Sequence, residues 1–375
     1  MHHPLARRAR LRQAGFSLVE LMIALTIGLL LMSGLAMIFV NSSDASRELQ
    51  KTAQQIENGR YAIDIVTQDL RLAGFYGHLH DFSAISLPAA IPPDPCESGS
   101  AAELLKAFWF PAHGYRGTID ASGPASDAAA DISATTCGTP LLTAANLKAG
   151  SDVLVVRRAD TNALAAADVA TSNVFYVQAG ANGAEVQLGN GAAIGTNKAD
   201  GDASTLKLTN GADPAPPAPI RRLRVHVYFV APCSVGSAAN GACTGAAGED
   251  SIPTLKRLEL SASASVTITP LVEGVDYFKV EYGVDTLPNV VSPETGRKGD
   301  ATVDSYSATP ADWTTVIAAK VYVLTRNTLP TTGFVDNKTY ALGSASVPAR
   351  NDAFKRHVYA ATVQLVNAAG RREIP

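Results

Sequence analysis

The sequence predicts an α+β chain: one long N-terminal helix, then a C-terminal head of antiparallel β-sheet with a disulfide-tied insertion. Three observations predict it. A basic segment with Arg7, Arg8, Arg10 and Arg12 runs into the stretch from Phe16 to Val40, whose single charge is Glu20. At roughly 25 residues this run is long enough to cross a bilayer core as a helix. Short β-prone runs then recur between turn residues from Asp152 onward, and four cysteines lie in loop-like sequence.

The first element is the helix. A cleaved secretory signal has a shorter apolar core and a small-residue cleavage site after it. Here the run is too long and carries a carboxylate near its start, and the small residue that could mark a cut, Gly15, precedes it. Cutting there removes the arginines and leaves the helix attached. Before such a cut the arginines hold the N-terminus in the cytoplasm and place everything after Val40 outside the inner membrane. Beyond Val40 nothing breaks the helix. Leu49, Ile56, Ile63 and Leu70 recur every seven residues, with Thr52, Gly59, Val66 and Ala73 between them, and this predicts one amphipathic stripe laid on the head. Arg47, Glu48, Lys51, Glu57, Arg60, Asp64 and Asp69 fall off that stripe. The helix is expected from Phe16 to near Leu72, about 85 to 90 Å, with Gly74 as its stop.

Glu20 has a physical role that the residues alone suggest. A carboxylate in an apolar span costs a few kcal/mol, so it is expected to have a partner. Cleavage after Gly15 frees the amine of Phe16, and the amine of a neighbouring subunit, offset along a bundle, could meet Glu20. At about 4 Å and an effective dielectric of about 20, such a pair attracts by roughly 4 kcal/mol before desolvation. It would set register as well as affinity. The alternative is a carboxylate resting at headgroup level with no such role.

From His78 to Ala149 prolines and small residues predict an irregular insertion. His78, His80 and Asp81 cluster there, and a solvated loop is favoured over a metal site. Strands are expected at Asp152 to Arg158, Val174 to Val177, Glu185 to Leu188 and Leu206 to Leu208. Longer ones follow at Leu223 to Val230, Leu255 to Leu260, Val275 to Tyr282, Ala319 to Leu324 and His357 to Val366. In the first of these, Val225, Val227 and Phe229 alternate with Arg224, His226 and Tyr228. Asp200-Gly201-Asp202 lacks the spacing of a calcium loop and is expected to be an acidic turn. The proline-rich connector Asp213 to Pro219 marks the clearest internal boundary. The expected division is therefore a leader at 1–15, an anchoring half-helix at 16–40, an amphipathic half-helix at 41–74, an insertion at 75–219 and a β-rich head at 220–375.

Composition excludes several classes. Formal charge is −3, and loss of the four leader arginines takes it to about −7, which argues against a nucleic-acid partner. Arg221, Arg222 and Arg224 are the strongest basic cluster, read as a solvated strand end. Cys96, Cys137, Cys233 and Cys243 show no CxxC spacing, so disulfides fit better than zinc. Of three open connectivities, Cys96 with Cys137 and Cys233 with Cys243 is favoured, and an oxidising periplasm is where such bonds persist. No nucleophile elbow, zinc-protease motif, P-loop or dinucleotide fingerprint is present. No enzyme activity, metal or cofactor is expected.

Gly15-Phe16-Ser17-Leu18-Val19-Glu20 closely resembles the class III signal of type IV prepilins and pseudopilins. The resemblance implies cleavage after Gly15 by a prepilin peptidase, N-methylation of Phe16, and Glu20 as the assembly glutamate. Major pilins commonly carry a proline further along this helix and none occurs between Phe16 and Val40, which puts a major-subunit role in doubt. The stretches Gln55 to Ala62, Asp69 to Gly77, Leu271 to Gly283 and Arg356 to Asn367 resemble the helix, helix end and later strands of PilW-type minor pilins. That family implies a type IV pilin-like fold and a low-abundance subunit that primes assembly with other minor pilins and the major pilin, placed at the pilus tip. Two other classes share some of these features. A J-like type II secretion pseudopilin has a smaller head. A membrane-anchored hydrolase or binding protein predicts a ligand cleft with convergent polar groups between Leu79 and Pro219.

Overall fold

No proline interrupts the chain between Ser17 and Leu72, and one helix, α1 (Leu18–Leu72, 55 residues), fills that stretch. The computed structural model describes residues 15, 17–79, 82, 85, 91–96, 101–120, 123–124, 132, 135, 137, 141–164, 174–180, 183–188, 218–260, 268–286 and 299–372. It divides into one unit up to Thr52 and a second from Ala53.

The first unit is the apolar part of α1 and its continuation. Its richest 18-residue window has a mean hydropathy of 2.5, and none of that window is buried. The Thr26 hydroxyl donates to Ile23 O at 2.8 Å and that of Ser33 to Leu30 O at 2.8 Å. Both hydroxyls are thus satisfied inside the helix, as a hydrocarbon environment demands.

The second unit opens on the rest of α1. Its buried side is Gln55, Gly59, Ala62, Val66, Thr67, Asp69 and Leu70, continued by Ala73. Of the expected stripe, Gly59, Val66, Leu70 and Ala73 are buried, while Leu49 and Ile56 are exposed and Ile63 is half-buried: the buried line keeps the heptad spacing but passes through Gln55, Ala62 and Asp69, one residue before Ile56, Ile63 and Leu70. Gly59 is there for contact: a Cβ would sit 2.1 Å from the Tyr359 ring. Gly59→Ala should gain about 1 kcal/mol of helix propensity and lose more through displacement of that ring, for a net loss of about 1–2 kcal/mol. The urea midpoint of the detergent-solubilised chain checks this. At Gly74 the backbone turns left-handed (φ +76°) and its N–H bonds Arg157 O at 2.9 Å, which ends the helix.

After a short α2 (Ala101–Lys106) and a 3₁₀ turn (Ala107–Trp109) come β1 (Ala112–Tyr115), β2 (Ile119–Asp120), β3 (Gly123–Pro124), β4 (Val153–Ala159), β5 (Phe175–Gly180) and β6 (Gly183–Leu188). Then follow β7 (Ile220–Ala231), β8 (Thr254–Glu259), β9 (Ile268–Glu273), β10 (Val275–Val284) and β11 (Ser305–Ser307). The chain continues through β12 (Val316–Arg326), β13 (Tyr340–Leu342), β14 (Ala345–Val347), β15 (Arg356–Gln364) and α3 (Val366–Gly370). The expected strand to Val366 stops at Gln364, where α3 takes over. The expected strand at Leu206 to Leu208 and the acidic turn at Asp200 lie outside the described residues.

Two sheets carry the head, and every pairing in them is antiparallel. The larger has seven strands in the order β1-β4-β7-β5-β6, with β8 on β7 and β9 on β8. The smaller runs β11-β10-β12-β15. One core lies between the larger sheet and the insertion, around Tyr76, Phe108, Phe110, Val227 and Phe229. The other joins α1 from Ala62 to Ala73, the opposite face of the larger sheet and the smaller sheet, around Val66, Leu70, Tyr228, Val280 and Val321. β7 is therefore buried on both faces over Val225 to Ala231. The connector at Asp213 to Pro219 does not separate two packed bodies: β7, beyond it, pairs β4 and β5, before it. Proline marks a place where the chain cannot pair, and says nothing of which strands meet on either side.

Candidate assembly surfaces

At the start of α1, Ser17 Oγ accepts the Glu20 N–H at 3.2 Å, and a Glu20 carboxylate oxygen accepts the Ser17 N–H at 3.0 Å. This reciprocal pair is a capping box, which satisfies two of the orphan donors at a helix start and sets a carboxylate at the positive end of the helix dipole. Ser17, three residues before Glu20, carried that signal in the sequence. Gly15 and Glu20 are exposed; Phe16 lies outside the described residues.

The stretch Gln55 to Ala62 splits by face. Gln55 Nε2 donates to Thr325 O at 3.1 Å and Lys355 O at 3.0 Å, and Asn58 Nδ2 to Glu273 O at 3.0 Å. These amides tie α1 to the ends of β12, β15 and β9, while Glu57, Arg60 and Tyr61 face out. At the other end Arg371 donates to Gly74 O at 2.7 Å.

Asp69, off the expected apolar stripe, is the centre of a buried polar network. Its carboxylate accepts from Arg158 Nε at 2.6 Å and Tyr228 OH at 2.9 Å, and meets His226 Nδ1 at 2.7 Å. Burial would raise its pKa. The hydrogen bond and charge of His226, and then Arg158, outweigh burial and hold the carboxyl at about 2. Burial, then Asp69, pushes the Tyr228 phenol up. His226 is therefore a partner of α1, and the side of β7 bearing it faces a charge. His357 is exposed, against the Tyr359 ring.

Beside this docked half of α1 runs an open groove of about 1130 Å³, walled by Ile56, Arg60, Ile63, Asp64 and Thr67 on the helix and floored by Tyr359 to Ala361 on β15. Two smaller clefts, of about 310 and 280 Å³, touch the insertion. In the second the polar groups are spent on one another, Arg224 pairing Asp160 at 3.0 Å and also Glu259. Arg222 stands 3.6 Å from Glu259, and Arg221 donates to Asp160 O. The basic cluster is thus interleaved with acids.

Disulfides join Cys96 to Cys137 and Cys233 to Cys243. Lys256, which no spacing singled out, is buried beside the second bond, with Nζ 3.0 Å from Gly241 O and 3.4 Å from Cys243 Sγ. Among the described residues no three His, Cys, Asp or Glu side chains gather as a metal site. His78 is exposed, and His80 and Asp81 lie outside the described residues.

The family model described as Type IV Pilus-assembly protein W matches residues 227–367, and the prokaryotic N-terminal methylation motif matches residues 10–36. Among solved structures, the type IV-like pilin TTHA1219 from Thermus thermophilus aligns with 39% of this chain and 66% of its own at 15% identity, with a TM-score of 0.21. The chain thus spans just under two thirds of that pilin, and likeness at that TM-score carries no weight. No curated protein matches the chain. A methylation-type motif at the N-terminus and a pilus-assembly W match over the C-terminal head together support a PilW-type type IV pilin.

Proposed function

We propose that the chain is cut after Gly15, methylated at Phe16, and held in the inner membrane by one span with its head in the periplasm. From there it enters a priming complex with other minor pilins and the major pilin, and it ends in the extracellular pilus. The observation that carries this reading is the first turn of α1, where the only carboxylate of an exposed apolar run sits beside the proposed cut. In the precursor Glu20 is satisfied by Ser17. Cleavage adds a cation nearby, and a neighbouring subunit's amine can compete for the same oxygens. The head contributes surfaces and no chemistry.

Intact mass and N-terminal sequencing of the protein from native membranes, with and without the prepilin peptidase, test it. The expected terminus is methylated Phe16, present only with the peptidase; Met1 in both strains, or a terminus beyond Val40, overturns it. Glu20→Ala should leave that terminus intact and lower recovery in the sheared pilus fraction about tenfold, the effect of losing roughly 1–2 kcal/mol net from the pair.

A further inference from the structure

We propose that the groove between α1 and β15 takes an extended edge strand from a different pilin head, paired antiparallel to β15. β15 is the last strand of its sheet, nine residues long, without proline or lysine to guard its edge. The direction of its main-chain groups follows from its bonds. Lys355 O accepts from Asn327 N and Leu365 N donates to Ile317 O, and no bulge interrupts the pairing with β12. Odd-numbered residues therefore bond inward, and the N–H and C=O of Val358, Ala360 and Thr362 point outward. Among the described residues β15 pairs with no strand besides β12.

Direction and charge select the occupant. Relative to β10, the two strands that end the sheet among the described residues, β11 and β15, run in opposite senses. A neighbouring head in the same orientation thus offers its β11-type edge antiparallel to β15. From Ala53 on, α1 runs alongside β15 in the same sense, since Gln55 bonds Lys355 O and Gly59 touches Tyr359. Along the overhanging wall the charges alternate: Glu57, Arg60, Asp64, Arg71. Arg60 and Asp64 lie about 6 Å apart along the axis, close to the roughly 6.7 Å between residues i and i+2 of a strand. An antiparallel strand meets Asp64 before Arg60, so its side chains under α1 should be basic at i and acidic at i+2. The chain's own β11 region, Asp304-Ser305-Tyr306-Ser307, has no basic residue, which argues for another pilin and against a second copy. The choice of a pilin head as partner rests on the assembly reading; the free edge and the charge order do not.

The test uses the full chain in native membranes, with a photoreactive benzoylphenylalanine at Ile63. The expected adduct is a strand peptide from another pilin's head. Ala360→Pro removes only an outward N–H and is tolerated on an edge strand. It should keep both disulfides and the mature terminus, yet lower the adduct and co-isolation with other pilins at least tenfold. Arg60→Asp with Asp64→Arg, which substitutes no strand residue, should lower co-isolation about fivefold. An adduct with a helix, an adduct with a second copy, or co-isolation unchanged in both variants overturns the inference. Absence of the wild-type chain from every pilin-containing fraction instead overturns the assembly reading.

Discussion

Asp69→Ala is expected to cost the head about 3–5 kcal/mol, read as a fall in urea midpoint for the full chain in detergent. Removing this carboxylate leaves Arg158, His226 and the Tyr228 hydroxyl around a space that water reaches poorly, and an uncompensated buried cation is among the costliest single lesions. Tyr228→Phe removes one neutral donor and should cost only about 1 kcal/mol. The pH dependence has a fixed sign. The folded pKa of Asp69 is depressed to about 2 from an ordinary value of 3.8, so its contribution, roughly 2 kcal/mol, is fully present above pH 4 and is lost as pH falls from 4 towards 2. In Asp69→Ala that portion of the acid slope should vanish. A variant with wild-type stability and slope would mean that α1 docks through its apolar side alone.

How much of this was legible in the sequence differs by element. The anchor was legible because membrane chemistry acts on runs: one carboxylate among so many apolar residues, preceded by arginines, is a local pattern. Asp69 was not, because its partners lie 89, 157 and 159 positions away, and a charge between Leu70 and Val66 reads locally as solvent-facing. The helix stripe was misread for a related reason. Ile56 and Ile63 are the bulkier residues, while the contact line runs through Gln55 and Ala62 beside the expected Gly59, whose small size admits the Tyr359 ring. β9 escaped notice because Pro270 interrupts its pattern and a register shift lies opposite, between Leu255 and Lys256. The strands of the larger sheet were mostly visible one by one. That β7 joins strands from both sides of a proline connector depends on pairings no local period encodes.

Arg356→Ala is the second large effect, about 3–5 kcal/mol, and its consequence reaches the proposed docking edge. The guanidinium stands at the first residue of β15 and holds three carboxylates: Asp276 at 2.8 Å, Asp336 at 2.8 Å and Asp352 at 2.7 Å. Asp276 and Asp336 are buried, so removing the cation strands negative charge where solvent cannot screen it. Lys148, 2.7 Å from Asp276, relieves one of them and Tyr340 OH, 2.9 Å from Asp336, only bonds the other. Arg356→Lys keeps the charge but loses the planar fork that reaches all three, and should recover about half the loss. Burial would raise Asp276; Lys148 and Arg356 overcome it and hold the carboxyl at about 2. Its stabilisation is thus present above pH 4 and disappears as pH falls towards 2, and in Arg356→Ala acid unfolding should begin at higher pH. Because Arg356 fixes where β15 begins against β12, freeing it should raise hydrogen exchange at Val358 and Ala360 before the rest of the head opens. If exchange rises uniformly over β10, β12 and β15 instead, the network serves global stability and the edge strand does not depend on it.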